Sequence, residues 1–351
     1  MRRFMFFAAA SFVLVAASPA EAGEPDWTIY ADKRTEGVGG FQEVGATGPD
    51  DAWVVRTGLP MLRWNGKTWR NGGGSAVPYL VTAAGAGETW QFVETFAKVD
   101  ARHRTGGAWH AHPIAEEGAH AGAALATGPD DCWVAGLRFG QNGMDDRVWH
   151  WSGKAWRAVK APLPLTDFAA SGPEVWALSS VGAGASTHTA SILRWSGSAW
   201  RTVPMPGVTL PARSRAGDAY AELNDIVAVR QGEAYAVGAV SYLRGETRII
   251  REAIVLRWDG TSWRRLPHRP AETAYTKVAP DGAGGLWLAA SRQDRPDELT
   301  HYTGGAWTRV PLSARNAAIR GLANVPGTTF MWATAEAAEA GVTRQLILAY
   351  R

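Results

Sequence analysis

The chain has 351 residues, with 36 basic and 33 acidic side chains for a net charge of +3, and a single cysteine. So even a balance gives no electrostatic reason to expect nucleic acid or an anionic membrane as a partner. With Cys132 alone, no intramolecular disulfide is possible, so the fold must rest on packing.

At the N-terminus, Met1-Arg2-Arg3 precedes an apolar run from Phe4 to Ala17 and the small-residue segment Ser18-Pro19-Ala20-Glu21-Ala22-Gly23. A basic start, a short apolar stretch and a small-x-small site are the pattern of a secretory signal peptide cleaved after Ala22. Residues 1–22 are therefore expected to be a leader, and 23–351 a single secreted, extracellular domain. Loss of Arg2, Arg3 and Glu21 leaves 34 basic and 32 acidic residues, a net charge of +2. No later stretch reaches the roughly 20 apolar residues of a membrane-spanning helix.

The 18 tryptophans organise the rest of the chain. One series follows an acidic or Gly-rich turn: Asp51-Ala52-Trp53, Glu88-Thr89-Trp90, Asp131-Cys132-Trp133, Glu174-Val175-Trp176, Gly285-Leu286-Trp287 and Phe330-Met331-Trp332, with Tyr235 in the equivalent slot. A second series is the hairpin Trp64-Asn65-Gly66-Lys67-Thr68-Trp69, repeated at Trp151 to Trp156, Trp195 to Trp200 and Trp258 to Trp263, with variants at Arg104 to Trp109 and Tyr302 to Trp307. Gly-centred turns between short alternating segments signal hairpins, and a period of about 40 to 45 residues with four strands per unit is that of a propeller.

Seven units fit, at 41–71, 78–113, 119–161, 165–204, 218–267, 274–312 and 317–351. The last lacks a strand, and Pro25-Asp26-Trp27-Thr28-Ile29-Tyr30 resembles the missing one. The expected fold is all-β: a seven-bladed β-propeller of four antiparallel strands per blade, its last blade closed by the mature N-terminal strand. Closure also removes exposed sheet edges. Only Trp149 falls outside the repeat slots, so the other tryptophans are read as packing residues. Cys132 occupies a slot held elsewhere by Ala52, Val175 and Leu286 and is read as buried.

Length variation concentrates in the loops joining second to third strands: Leu137 to Arg147, Ser180 to Ser191, Ser241 to Arg251, Arg292 to Glu298 and Ala335 to Arg344. Variable loops on a rigid scaffold commonly carry recognition, which places the working surface on their face. Signals of chemistry are sparse. His110 and His112 have strand spacing but no third metal ligand, the acid pairs Asp50/Asp51 and Asp130/Asp131 repeat as turn formers, and the loop acids Asp145, Asp146, Asp294, Asp297 and Glu298 match no calcium pattern. Asp259-Gly260-Thr261 only faintly resembles a sialidase Asp-box. No nucleophile motif or phosphate loop is present.

The Trp-x-Gly-x-x-Trp hairpin, the Gly-Pro-Asp-Asp-x-Trp turn, the leader and the alanine-rich composition together resemble secreted actinomycete propellers of the dispase autolysis-inducing type. That resemblance implies a non-catalytic, cofactor-free protein binder that promotes autolysis of a secreted thermolysin-like metalloprotease and serves as a glutamine substrate of a secreted transglutaminase. Gln42, Gln141, Gln293 and Gln345 then become the candidate transglutaminase glutamines, with Gln91, beside Trp90, less accessible. A hydrolase or lyase with a site dispersed over the blades, and a carbohydrate-binding lectin, are the alternatives.

Overall fold

The computed structural model describes residues 26–35, 39–72, 76–95, 98–140, 143–180, 190–207, 220–244, 248–268, 270–292, 295–312, 316–339 and 341–351. The expected leader, Gln141 and Gln293 lie outside these residues. The described chain forms seven four-stranded antiparallel sheets.

Strand β1 (Trp27–Thr35) is followed by the first blade, β2 (Phe41–Gly48), β3 (Asp51–Arg56), β4 (Leu59–Trp64) and β5 (Trp69–Asn71). The second holds β6 (Leu80–Gly85), β7 (Glu88–Thr95), β8 (Lys98–Thr105) and β9 (Ala108–Ala111), and the third β10 (Ala119–Gly128), β11 (Asp131–Gly140), β12 (Gly143–Trp151) and β13 (Trp156–Val159). Next come β14 (Asp167–Ser171), β15 (Glu174–Ser180), β16 (Ala190–Trp195) and β17 (Trp200–Val203), then β18 (Tyr220–Arg230), β19 (Glu233–Arg244), β20 (Arg248–Trp258) and β21 (Trp263–Arg265). The sixth blade is β22 (Thr273–Pro280), β23 (Leu286–Arg292), β24 (Arg295–Thr303) and β25 (Ala306–Pro311). In the seventh, β26 (Ala317–Asn324), β27 (Met331–Glu339) and β28 (Val342–Tyr350) are completed by β1, which pairs with β28 from Trp27↔Tyr350 to Thr35↔Thr343. The ring is thus closed by the N-terminal strand.

The tryptophan slots explain how blades adhere. In five of the seven blades the second-strand ring inserts between the two residues that occupy the hairpin-flanking slots of the next. Trp90 meets Trp151 and Trp156 at 5.7 and 5.6 Å, Trp176 meets Trp258 and Trp263 at 5.0 and 5.3 Å, and Trp332 meets Trp64 and Trp69 at 5.4 and 5.1 Å. Most crossings are edge-to-face, the geometry aromatic quadrupoles favour, and each adds about 0.5–1.5 kcal/mol beyond area burial. At the closing junction Trp27 takes the hairpin role and packs on Trp287 at 5.4 Å.

Six of the seven buried rings have a lid. The third-strand residue paired with the ring is His or Arg in six blades: Arg63, His103, His150, Arg194, Arg257 and His301. His150 stacks on Trp133 at 3.9 Å and His301 on Trp287 at 4.3 Å, while Arg194 sits over Trp176 at 5.3 Å. An acid from the preceding turn holds each lid: Asp51 takes Arg63 at 2.6 Å, Glu174 takes Arg194 at 2.5 Å, Asp281 takes His301 at 2.8 Å, and Asp131 pairs with His150. Asp51 and Asp131 therefore do more than form turns. Burial pushes Asp281 up, but hydrogen bonds from His301 and the Ala283 and Gly285 amides hold it below the ordinary carboxylate range.

Three expectations are corrected. Trp149, outside the repeat slots, is nonetheless buried at 2% exposure, packs in the core with Val134, and donates its indole N–H to Glu116 Oε2 at 2.7 Å. Apart from Ser180 to Ser191, which falls mostly outside the described residues, the long loops are, where described, largely extended hairpin arms. Leu137↔Asp146, Ser241↔Arg251 and Glu336↔Gln345 remain paired, because continuing the ladder satisfies backbone groups that a loop would leave to water. Gln345 is consequently not at a loop end but inside β28, where it is 2% exposed and accepts a 2.7 Å hydrogen bond from Phe41 N.

Candidate functional site at the channel mouth

The first strand of every blade lines the centre of the ring. A cavity of about 410 Å³ runs there, with contributions from all seven inner strands, among them Gly45, Thr82, Leu125, Asn224 and Asn324. In five of these strands the ladder is interrupted at one level by a bulge, between Phe41/Val44, Ala121/Ala123, Leu223/Asp225, Tyr275/Lys277 and Ile319/Gly321. A bulge re-aims side chains and leaves a backbone group unpaired in the ladder. The neighbouring blade supplies partners near these positions: Gln345 for Phe41 N, Glu94 Oε1 for Ala121 N at 2.9 Å, Asp167 Oδ2 for Ile226 N at 3.2 Å, Asp225 Oδ2 for Val278 N at 2.7 Å, and Asp297 Oδ2 for Ile319 N at 2.9 Å.

Two residues before the position facing each second-strand aromatic, the inner strands carry Glu43, Leu80, Ala123, Asp167, Asp225, Lys277 and Gly321. Four of these seven are charged and converge. Lys277 Nζ lies 3.9 Å from Glu43 Oε1. Asp225 first, then Glu43 and Asp167, raise the Lys277 pKa against the opposing effect of burial. Burial foremost, and then Asp225, push Asp167 well above the ordinary carboxylate value. Burial likewise raises Glu43, with Lys277 opposing. The Glu43 side chain still has 43% of its surface accessible, because it faces the void while protein surrounds it.

Above the charged ring the cavity opens into a depression of about 730 Å³ on the face of the second-to-third strand turns and inter-blade links. Its wall carries Gln42, Arg56, Glu94 and Arg320, and Tyr79 stands on its rim at 58% exposure. Arg320 pairs loosely with Glu336 at 3.3 Å. The site thus offers both signs of charge, a phenol ring and amide groups in an open bowl.

No family model matches the sequence, and no curated protein does. Among solved structures, YCF48 bound to D1 peptide aligns with a TM-score of 0.56 at 15% identity, over 94% of this chain and 97% of that one. YCF48 from Cyanidioschyzon merolae gives 0.57 at 11% identity, over 93% and 99%. A GH74 xyloglucanase from Xanthomonas campestris gives 0.55 at 12% identity over 90% of this chain, which spans about half (54%) of the enzyme chain. The likeness is one of fold. It establishes a seven-bladed propeller whose structural neighbours include a peptide-bound protein and a glycoside hydrolase.

Of the candidate glutamines, Gln42 is exposed on β2, its Nε2 donating to Thr57 Oγ1 at 2.8 Å, and it lies on the bowl wall. Gln345 is buried as described, and Gln91 is 4% exposed. His110 is exposed, whereas His112 packs on Trp151 at 4.6 Å. Among the described residues no three His, Cys, Asp or Glu side chains come together as metal ligands. Burial pushes the Cys132 thiol well up, the state of an unreactive core residue. Asp145 is held by Arg147 at 3.3 Å, Glu298 by Arg292 at 2.6 Å, and Asp259 accepts the Thr261 and Ser262 amides of its own turn. The charged channel was missed by motif reading because its members come from four blades; aligning the inner strands on the aromatic slot exposes it.

Proposed function

We propose that the chain is an extracellular, non-catalytic propeller that binds an extended segment of a protein partner across the mouth of its channel. The observation that carries this reading is the bowl itself, where bulged inner strands present Glu43, Lys277 and Arg320, and the link before β6 the exposed Tyr79, around one opening. Tyr and Arg are the side chains that most often anchor such contacts. Of the acids around this place, Glu94, Asp167, Asp225 and Asp297 are each engaged by a backbone amide and Glu43 faces Lys277 at 3.9 Å. That supports binding over catalysis. The peptide-bound neighbour of the same fold supports it as well, and the N-terminal leader pattern supports export.

The partner fitting the sequence resemblance is a secreted metalloprotease, with the propeller a glutamine substrate of a transglutaminase. Gln42, exposed on the bowl wall, is the described candidate best disposed for the latter. Brief exposure to a microbial transglutaminase and a labelled primary amine should modify Gln42, with Gln141 and Gln293, before Gln91 or Gln345. Labelling that starts at Gln91 would reject the substrate assignment.

Binding is tested by selecting from a random extended-peptide library on the wild-type protein and measuring the selected peptides on Tyr79→Ser and Arg320→Glu. At least a tenfold loss of affinity in either variant is expected. Failure to select any peptide, or affinities unchanged in both variants, would refute the site.

A further inference from the structure

One of the seven blade junctions departs from the others. Between the first and second blades the repeat calls for Trp53 to insert beside residues 104 and 109. The first of these is Arg104, where the other hairpins place Trp64, Trp151, Trp195, Trp258 and Tyr302. Trp53 itself is displaced. The residue paired with it is Gly45, where the other inner strands have Thr82, Leu125, Ala169, Val227, Ala279 and Ala323. A Cβ on Gly45 would stand 2.2 Å from Trp53 Cζ2, so the ring occupies space that every other blade fills with a side chain, and it reaches the central channel. Its described hydrophobic neighbours include Trp109, but, like Tyr235 in the fifth blade, it takes part in none of the described ring–ring pairs at the junctions, so what sets this junction apart is the Gly45 and Arg104 pair.

The slot left between these blades is a cleft of about 880 Å³ walled by their outer strands and by turns of the face opposite the bowl. Four guanidinium groups line it, from Arg63, Arg70, Arg102 and Arg104, against the carboxylates of Asp50 and Asp51. Asp51 is committed to Arg63 at 2.6 Å and to the Thr47 hydroxyl, and Arg102 is held by Asp100 at 2.6 Å. Among the described residues Arg104 has only the Gly87 carbonyl, at 3.2 Å, and Arg70 only the Thr68 hydroxyl, at 3.1 Å. Burial lowers the Arg63 pKa against the pull of Asp51, and the charge of Arg104 lowers it further. Two cations are therefore near neighbours across a half-open cleft. Trp109 supplies an aromatic wall.

We infer that this cleft is a binding site for a small oxyanion-bearing molecule, with a carboxylate, sulfate or phosphate group received by Arg104 and Arg63 and its body lying against Trp109. Guanidinium groups accept such oxyanions through paired, charge-assisted hydrogen bonds, which suits planar recognition better than a lysine would. The volume falls in the range of small-ligand sites, about 300–1,000 Å³. The site stands apart from the channel mouth and does not depend on what binds there.

The test is isothermal titration calorimetry of the full chain at low ionic strength, where screening is weak, with citrate and inorganic phosphate as separate probes. The variants are Arg104→Trp, which restores the repeat and fills the cleft, and Arg104→Ala, which removes the charge alone. Arg201→Ala, an exposed arginine on the fourth blade, is the control. The wild type should bind at least one probe with a Kd below about 1 mM, and the stronger probe names the oxyanion. Arg104→Ala should weaken binding at least tenfold, Arg104→Trp should abolish it, and Arg201→Ala should leave it unchanged. No wild-type binding of either probe, or equal binding by wild type and Arg104→Ala, would overturn the assignment even if Arg104→Trp does not fold.

Discussion

The junction between the second and third blades and that between the first and second are built to one plan and end differently. At the former, Trp90 lies under His103 at 4.9 Å and meets the rings of Trp151, Trp156 and His112. At the latter, a glycine on the inner strand draws Trp53 inward and an arginine replaces its ring partner. Two side-chain changes convert an adhesive interface into a charged cleft while the strands keep their pairing. In a ring of quasi-equivalent blades, a departure from the repeat is therefore the place to look for function, because the remaining junctions already supply the packing.

That comparison can be broken at its strongest point first. Deleting residues 23–34 removes Trp27 and most of the strand that closes the seventh blade, and should cost at least as much as a core Trp truncation, about 3–5 kcal/mol. Chemical denaturation would check this, and an unchanged midpoint would rule out closure by β1. Trp332→Ala, which removes a ring in contact with Tyr30, Trp64, Trp69 and Phe330, should cost a similar amount. Trp53→Ala should cost about 1–2 kcal/mol less, since it forfeits burial but none of those ring crossings. If Trp53 proved the costlier of the two, the first junction would not be the exception described. Trp149→Ala should also fall near about 3 kcal/mol, because it opens the core and strips Glu116 of its indole donor.

Smaller effects separate the lids from the channel by pH. Asp281 has a depressed pKa, so its stabilisation is present above the ordinary carboxylate value and fades as pH falls through the folded value. Asp281→Asn should lose about 1.5–3 kcal/mol at neutral pH and progressively less in acid. Asp167 behaves oppositely. Its pKa is raised, so the folded state binds the proton more tightly, and stability declines as pH rises above the ordinary carboxylate value. Asp167→Asn should flatten that decline. Denaturation curves across pH 3 to 8 would show the two variants diverging; parallel curves would contradict both placements.

Much of the architecture was legible in the sequence because tryptophan slots and Gly turns repeat within each unit, and even the missing strand was visible in Trp27-Thr28-Ile29-Tyr30. Hairpin arms were harder to see. Gly341-Val342-Thr343-Arg344-Gln345 reads as polar loop, yet β28 lies between β27 and β1, and pairing on both sides extends the ladder through Gln345. The lids were legible in retrospect, since Arg63, His103, His150, Arg194, Arg257 and His301 each immediately precede the first residue of the hairpin motif. The bowl was not. Glu43, Asp167, Asp225 and Lys277 are separated by up to 234 positions in the chain, belong to no common motif, and meet only because the ring closes.

The claim that the propeller recognises its partner at the channel mouth is tested most directly by a two-site comparison. A peptide selected on the wild type is measured against Tyr79→Ser, Arg320→Glu and Arg104→Trp, with citrate and phosphate measured in parallel. The account predicts that a mouth variant loses the peptide at least tenfold while keeping the anion, and that Arg104→Trp loses the anion while keeping the peptide. Peptide affinity that is indifferent to both mouth variants but collapses in Arg104→Trp would contradict it, and would move recognition to the cleft between the first two blades.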